Sequence, residues 1–260
     1  SLPPGPTESI LSSLFQMNSD TLINVILTAF GLLFIGSLLC IPLYKFNVRA
    51  FVRSALFIKI IFWIPIVAGF IVYMYVPSLV KALIIGILLI TALAEYRRNK
   101  AYQHKTTYSY LGYIAICFSA IYVLSTSTNI DTYVAMLALC FGSVMSDVFA
   151  YFFGNYLGKH HLPATLNNRK TYEGVIGQLI GSFVGISLVI IFINIDVPYW
   201  YALPIGIGSA FGDLFNSYTK RIISIKDWGN TLPGHGGILD RFSSLGSASL
   251  FLLVCIIASN

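Results

Sequence analysis

The chain has 260 residues, 57% of them hydrophobic and only 10% charged, with a mean hydropathy of +0.79. A soluble domain carries about 25% charged residues, so this composition excludes a soluble globular protein and describes an integral membrane protein. The net charge of +6 does not mark a nucleic-acid binder, because the cations flank apolar runs and form no basic patch interleaved with aromatics.

Residues 1–20, with Pro3, Pro4 and Pro6, read as a polar, flexible lead-in without the basic start of a signal peptide. Eight apolar runs follow, each near the length of about 20 residues that spans a bilayer. They cover roughly 21–44, 54–76, 78–96, 108–126, 132–157, 175–195, 198–216 and 240–258. This predicts an all-α, polytopic membrane fold of about eight transmembrane helices. A tight turn at Pro77 separates the second and third runs, and Pro65 is placed to kink the second. Cys40, Cys117, Cys140 and Cys255 lie inside apolar runs without paired spacing, which suits small packing residues better than disulfides or metal ligands.

The cations test this layout. Lys45, Arg49, Arg53 and Lys59 follow the first run, Arg97, Arg98, Lys100 and Lys105 the third, Lys159, Arg169 and Lys170 the fifth, and Lys220, Arg221, Lys226 and Arg241 the seventh; only Lys81 of the sixteen lies elsewhere. Every second loop is basic, which by the positive-inside rule makes these loops cytoplasmic and both termini extracytoplasmic. Of the acids, Glu8, Asp20, Asp131 and Asp196 fall on the outer side as solvated or capping residues, and Glu95, just before Arg97 and Arg98, reads most simply as an ion-paired helix end, with support of the site as the alternative. The remaining five, Asp147, Glu173, Asp213, Asp227 and Asp240, gather at the cytoplasmic ends of the later runs. This divides the chain into a scaffold over 21–126, with a lipid-facing cavity or dimer contact, and a catalytic region over 127–260.

Four constellations carry chemistry. Asp147 lies well inside the fifth run, where an ionisable group normally faces a cavity or partner; at helical spacing Tyr151, Gly154 and Gly158 share its face. Next, N-N-R-K-T-Y-E-G over 167–174 holds Lys170, Thr171, Glu173 and Gly174, read by themselves as positive-inside cations and a helix-start acid. The seventh run ends in G-D-L-F-N-S-Y-T-K-R, which puts Asp213, Ser217 and Lys220 on one helical face, with an Asp213–Lys220 ion pair as the plain structural alternative. Lastly, the stretch from Ser217 to Asp240 concentrates Lys220, Arg221, Lys226, Asp227, His235 and Asp240 around Pro233-Gly234-His235-Gly236-Gly237. Cations suit a polyphosphate, carboxylates a divalent metal, and glycines a backbone that phosphates approach closely. The helix start after these glycines is a candidate seat for an anion.

The pattern S-x-x-K-R, then K-D, then L-P-G-H-G-G-x-x-D-R, closely resembles the signature of phosphatidate cytidylyltransferases, also called CDP-diacylglycerol synthases. The block at 167–174 resembles that family's S-P-K-K-T-W-E-G, and A-Y-F-F-G-N-Y-L-G-K its A-Y-x-x-G-x-x-x-G-K. Several positions depart: Ser243 stands where the family reads D-R-x-D, Asn216 where it often has Glu, and Asn167 and Asn168 replace Ser and Pro, while Tyr172 keeps an aromatic and Arg169 a cation. The resemblance implies nucleotidyl transfer from CTP to phosphatidic acid in the inner (plasma) membrane, facing the cytoplasm, for phospholipid synthesis. By the same resemblance Asp213 and Asp240 hold Mg2+, with Asp147 and Asp227 as further ligands and a second cation as an added option. It makes Lys170, Lys220, Arg221, Lys226 and Arg241 phosphate ligands, and Thr171, Glu173, Ser217, His235, Gly236 and Gly237 substrate contacts. Partners on this reading are CTP, phosphatidic acid, membrane lipids and a second copy in a homodimer, with no nucleic acid.

Three alternatives stay open on the sequence. A related transferase would act on another lipid, such as an isoprenoid alcohol or phosphate. An ion-coupled transporter would use Asp147 and Asp213 as an intramembrane relay, although no inverted repeat is visible. A family member impaired through Ser243 and Asn216 would serve as a lipid-binding or assembly partner.

Overall fold

The computed structural model describes residues 19–40, 47–49, 54–128, 130–163, 170–229, 231 and 236–259. Among them lie eight long helices and no named strand, as expected of an all-α polytopic membrane protein. The helices are α1 (Ser19–Cys40), α2 (Ala55–Tyr75), α3 (Ser78–Arg98), α4 (Tyr108–Thr126), α5 (Thr132–Phe152), α6 (Tyr172–Leu188), α7 (Ala202–Ile222) and α8 (Ile238–Ser259). Short π-helical segments extend α5 through Leu157 and α6 through Ile193. Six of the eight, α1, α3, α4, α5, α6 and α8, are long and apolar enough to cross a membrane. The other two are α2, whose described apolar stretch is Ile64–Tyr75, and α7, which carries Asp213, Asn216, Lys220 and Arg221. The seventh element also runs further than its apolar run predicts, to Ile222, because the polar residues of its last two turns find partners in the protein.

Helix boundaries follow local chemistry. Ser54 caps α2 by accepting from the Phe57 N–H at 3.2 Å, and the extended Val76 before Pro77 ends that helix. Asp131 caps α5 through the Val134 N–H at 3.1 Å, in keeping with its reading as a cap. Arg97 and Arg98 occupy the last turn of α3, where cations complement the helix dipole.

Among the described residues the chain divides into two compact units, one within residues 1–81 together with 192–194, the other within residues 82–191 and 195–260. In the first, Lys81, the one cation outside the basic loops, is 8% exposed with its ammonium 5.8 Å from the centre of the Tyr73 ring. A cation over an aromatic face keeps part of its electrostatic stabilisation away from water.

In the second unit small residues let helix backbones touch. A Cβ on Gly177, Gly181 or Gly185 of α6 would run into the carbonyls of Phe149, Met145 and Phe141 of α5. The four-residue spacing on both helices makes this one continuous seam. Gly208 and Gly212 of α7 meet Ala248 and Ser243 of α8 in the same manner. Tyr151 is exposed and turns edge-on to Phe152, while Gly154 and Gly158 pack against Thr171. The π-helical turn over Phe153–Leu157 shifts the register, so the face expected to join Asp147, Tyr151 and both glycines is not continuous.

Candidate active site

The candidate site lies within the second unit, at the ends of α5, α7 and α8 and in the segments leading into α6 and α8. Lys170 and Asp213, far apart in the chain, form an ion pair, and the Lys170 ammonium also donates to the Asp213 carbonyl at 3.0 Å. Residues 160–162 and 170–172 run antiparallel, with the Leu162 N–H on the Lys170 carbonyl at 2.8 Å and the Tyr172 N–H on the His160 carbonyl at 3.0 Å. This short ladder sets Lys170 immediately before α6. Thr171 then caps the helix by accepting from the Gly174 N–H at 3.2 Å, and Glu173 in the first turn meets His160 Nδ1 at 2.6 Å. The conformations of Thr171 and Glu173 are therefore explained by local structure, and both residues support the placement of Lys170.

A second ion pair joins Lys220 to Asp240 at 2.7 Å. The plain alternative of an Asp213–Lys220 pair within α7 is not what forms: each takes a partner from another segment. The other oxygen of Asp240 accepts from the backbone N–H of Trp228 at 2.8 Å and of Gly237 at 2.9 Å. Gly236 has φ of 86°, and a Cβ there would lie 2.8 Å from the Asp240 carboxylate, so glycine is required twice over.

Trp228, 0% exposed, anchors this loop. Its ring lies between Tyr96 and Tyr110, with centroids 6.1 and 5.7 Å away. Its carbonyl accepts from Arg98 at 3.2 Å and Asn99 at 2.7 Å, and its indole N–H donates to Asn216 Oδ1 at 2.7 Å. Tyr110 donates to the same Asn216 oxygen at 2.8 Å, and the Asn216 amide N–H donates to Ser243 Oγ at 3.1 Å. Asn216 and Ser243, two of the residues that depart from the expected motifs, thus lie side by side in one neutral network.

The helix start at α8 is also occupied. The Glu95 carboxylate accepts from the N–H groups of Ile238 at 2.9 Å and Leu239 at 3.1 Å, and from the Thr231 hydroxyl at 2.5 Å. An acid from α3 therefore fills the seat expected for a substrate anion, and Glu95 is not simply an ion-paired helix end. Sequence reasoning missed Trp228, Tyr110 and Asn99 altogether. A tryptophan beside the charged Lys226-Asp227 pair was the available signal, since so large an apolar ring in a polar loop generally finds a buried seat.

Asp147 is half-buried in α5 and accepts from the Ser244 hydroxyl at 3.0 Å. It lies within electrostatic reach of Asp213, Arg241 and Lys170. Among the described residues, no three His, Cys, Asp or Glu side chains group closely enough to hold a metal on their own. Arg221, Lys226, Asp227 and Arg241 are exposed, and Ser217 is buried in α7. His235, Arg169, Asn167 and Asn168, with Pro233 and Gly234, lie outside the described residues.

The sequence profile of the cytidylyltransferase family matches residues 21–258, nearly the whole chain. The chain belongs to the cytidylyltransferase family. Its relatives include proteins named phosphatidate cytidylyltransferase. That of Staphylococcus saprophyticus is 42% identical over 104 residues, 38% of this chain and 40% of the relative. The Helicobacter pylori protein is 41% identical over 128 residues, 46% and 47% of the two chains. The Staphylococcus aureus protein is 37% identical over 119 residues, 44% and 46%. The alignment thus spans less than half the length of the curated relatives it matches. Membership of the cytidylyltransferase family agrees with the resemblance carried by the motifs at 167–174 and 212–241.

Proposed function

We propose that the chain transfers the cytidylyl group of CTP to phosphatidic acid, giving CDP-diacylglycerol and pyrophosphate. The observation that carries this reading is the meeting of Lys170 with Asp213, close to the intramembrane Asp147. Cation and carboxylates converge where a membrane helix surfaces, the place where a lipid phosphate and a soluble triphosphate can both be reached. Family membership and the names of the relatives support it.

In the reaction an oxygen of the lipid phosphate attacks the α-phosphorus of CTP. The new P–O bond forms as the bond to the bridging oxygen breaks, and pyrophosphate leaves with the electron pair. A phosphate monoester is already ionised near neutral pH, so the attack needs no general base and His235 is left to contact substrate. Such transfers are accelerated mainly by positioning and by neutralising charge. Lys170 and Lys220 are each held by a carboxylate partner, and Lys226, Arg221 and Arg241 present further positive charge to the phosphates.

The donor set fits Mg2+, which binds through one or two carboxylates together with substrate phosphates and needs no closed protein cage. Asp147 and Asp213 are the residues that would hold it, with Asp227 free on the loop to orient a ligand. When bound, the ion supplies neutralisation of charge on the phosphate oxygens. Asp240, already committed to Lys220 and two backbone N–H groups, is better suited to orienting Lys220 than to ligating the metal. The basic loops support a cytoplasmic position for this face, with the acyl chains entering from the adjoining leaflet.

The test is pyrophosphate release by the purified chain in detergent with CTP, Mg2+ and phosphatidic acid. Release is expected only with all three present, to stop on chelation, to resume with added Mg2+ and to be lost in Asp213→Asn. A folded chain that binds CTP yet releases nothing with phosphatidic acid overturns the reading, as does faster release with an isoprenoid phosphate.

A further inference from the structure

We infer that Glu95 is a positioning residue that closes the loop before α8 and thereby seats Asp240 and Lys220. The inference rests on the transfer reaction proposed above. Glu95 is 4% exposed, and its two oxygens take three hydrogen bonds. One comes from Thr231 and two from the first N–H groups of α8, so residues on both sides of 232–235 are tied to a single carboxylate. A buried carboxylate is stable only when its lone pairs are satisfied, and here donors from separate segments satisfy it. The packing around it leaves no slack. A Cβ at Gly237 would run into the carboxylate itself, and one at Gly229 would meet Arg98 Nη2 at 2.5 Å before Glu95 Oε1 at 3.1 Å. Glycine is therefore needed at 237 because Glu95 comes so close.

The consequence reaches the charged site through the first turn of α8. Gly237 donates to Asp240, its carbonyl accepts from the Asp240 N–H at 3.2 Å, and Asp240 holds Lys220. Releasing Ile238 and Leu239 frees the turn on which Asp240 rides. Glu95 touches none of the phosphate-binding cations proposed here; it acts on them through the backbone.

The test is Glu95→Gln in the full chain in detergent, with Thr231→Val as a milder variant that removes one of the three bonds. The amide replaces one acceptor oxygen by a donor aimed at N–H groups. Hydrogen exchange of the 236–240 amides should accelerate in Glu95→Gln while the distal half of α8 stays protected. Turnover should fall ~10- to 100-fold, the scale of a small misplacement of catalytic groups, and the KM for CTP should rise. Thr231→Val should shift both in the same direction by less. A purely structural role would reduce the amount of active protein and leave the KM for CTP unchanged. Wild-type exchange at 236–240, an unchanged KM for CTP, or loss of protection along all of α8 would overturn the inference. If the wild-type chain releases no pyrophosphate, the proposed reaction fails, while the exchange measurement, which needs no substrate, still decides whether Glu95 closes the loop.

Discussion

The Asn216 amide donates to Ser243 Oγ at 3.1 Å, with the two side chains 2% and 1% exposed. Ser243→Ala leaves that amide hydrogen unsatisfied in a buried site. The expected loss of stability is about 1–3 kcal/mol, seen as a lower midpoint of thermal unfolding in detergent. Ser243→Asp places a carboxylate among neutral groups, and its unfolding midpoint should fall as well. An unchanged midpoint in both variants would show that the network contributes nothing.

Lys170 and Asp213 separate structural from chemical roles. Both are partly solvated, so the ion pair itself is worth at most about 1 kcal/mol, and Lys170→Met should unfold close to the wild-type temperature. Pyrophosphate release should nevertheless fall by ~100-fold or more, since a charge stabiliser of the transition state has been removed. Equal losses in stability and turnover would assign the pair to folding alone.

Asp147 and its donor Ser244 divide in a similar way. Asp147→Asn removes a proposed metal oxygen, and the Mg2+ concentration for half-maximal release should rise together with a large loss of rate. Ser244→Ala removes only a hydrogen bond that orients it, which typically costs ~10-fold at a metal site. A titration of Mg2+ against rate reads both.

The glycine seam makes a paired prediction. Gly181→Ala drives a methyl group into the Met145 carbonyl and should destabilise by about 1–3 kcal/mol as overpacking. Gly112→Ala, on α4 with nothing within 4 Å of the added carbon, should stabilise by about 0.5–1 kcal/mol. Unfolding of the two variants in the same detergent is the measurement, and an equal shift in both would refute the seam.

Orientation is tested by cysteine labelling. Lys226 and Tyr199 are exposed near opposite ends of α7. In a variant without the native cysteines, Lys226→Cys should react with a membrane-impermeant maleimide only from the cytoplasmic side, and Tyr199→Cys only from outside.

Much of the fold was legible because a bilayer imposes a length and an apolarity on a helix that crosses it: among the described residues all eight runs fall on helices, six of them long and apolar enough to cross. The fifth is predicted to Leu157, where its π-helical extension ends, while the seventh helix runs past its apolar run because its polar end gives no hydropathy signal. Among the charges, Asp213, Lys170, Lys220 and Asp240 could be named from their types and spacing, but not their pairing. Lys170 meets Asp213 only because the ladder before α6 carries it to α7, and no local periodicity contains that distance. Glu95 shows the limit most clearly: beside Arg97 and Arg98 it looks like a local ion pair, yet its donors lie 136 to 144 residues away.

By itself the sequence determined the solvent of this protein, its helical class, the family-like motifs and the set of charged groups available for phosphate chemistry, since composition and spacing are properties of the chain alone. Tertiary structure decided which of these groups spend their charge on one another and which are free. It gave the α8 N-terminus to Glu95 in place of an incoming anion, committed Asp240 to Lys220 and the loop, and joined Asn216 to Ser243. A buried charge or hydrogen-bonding group must be satisfied by whatever the fold brings beside it, and that partner is chosen by packing in three dimensions.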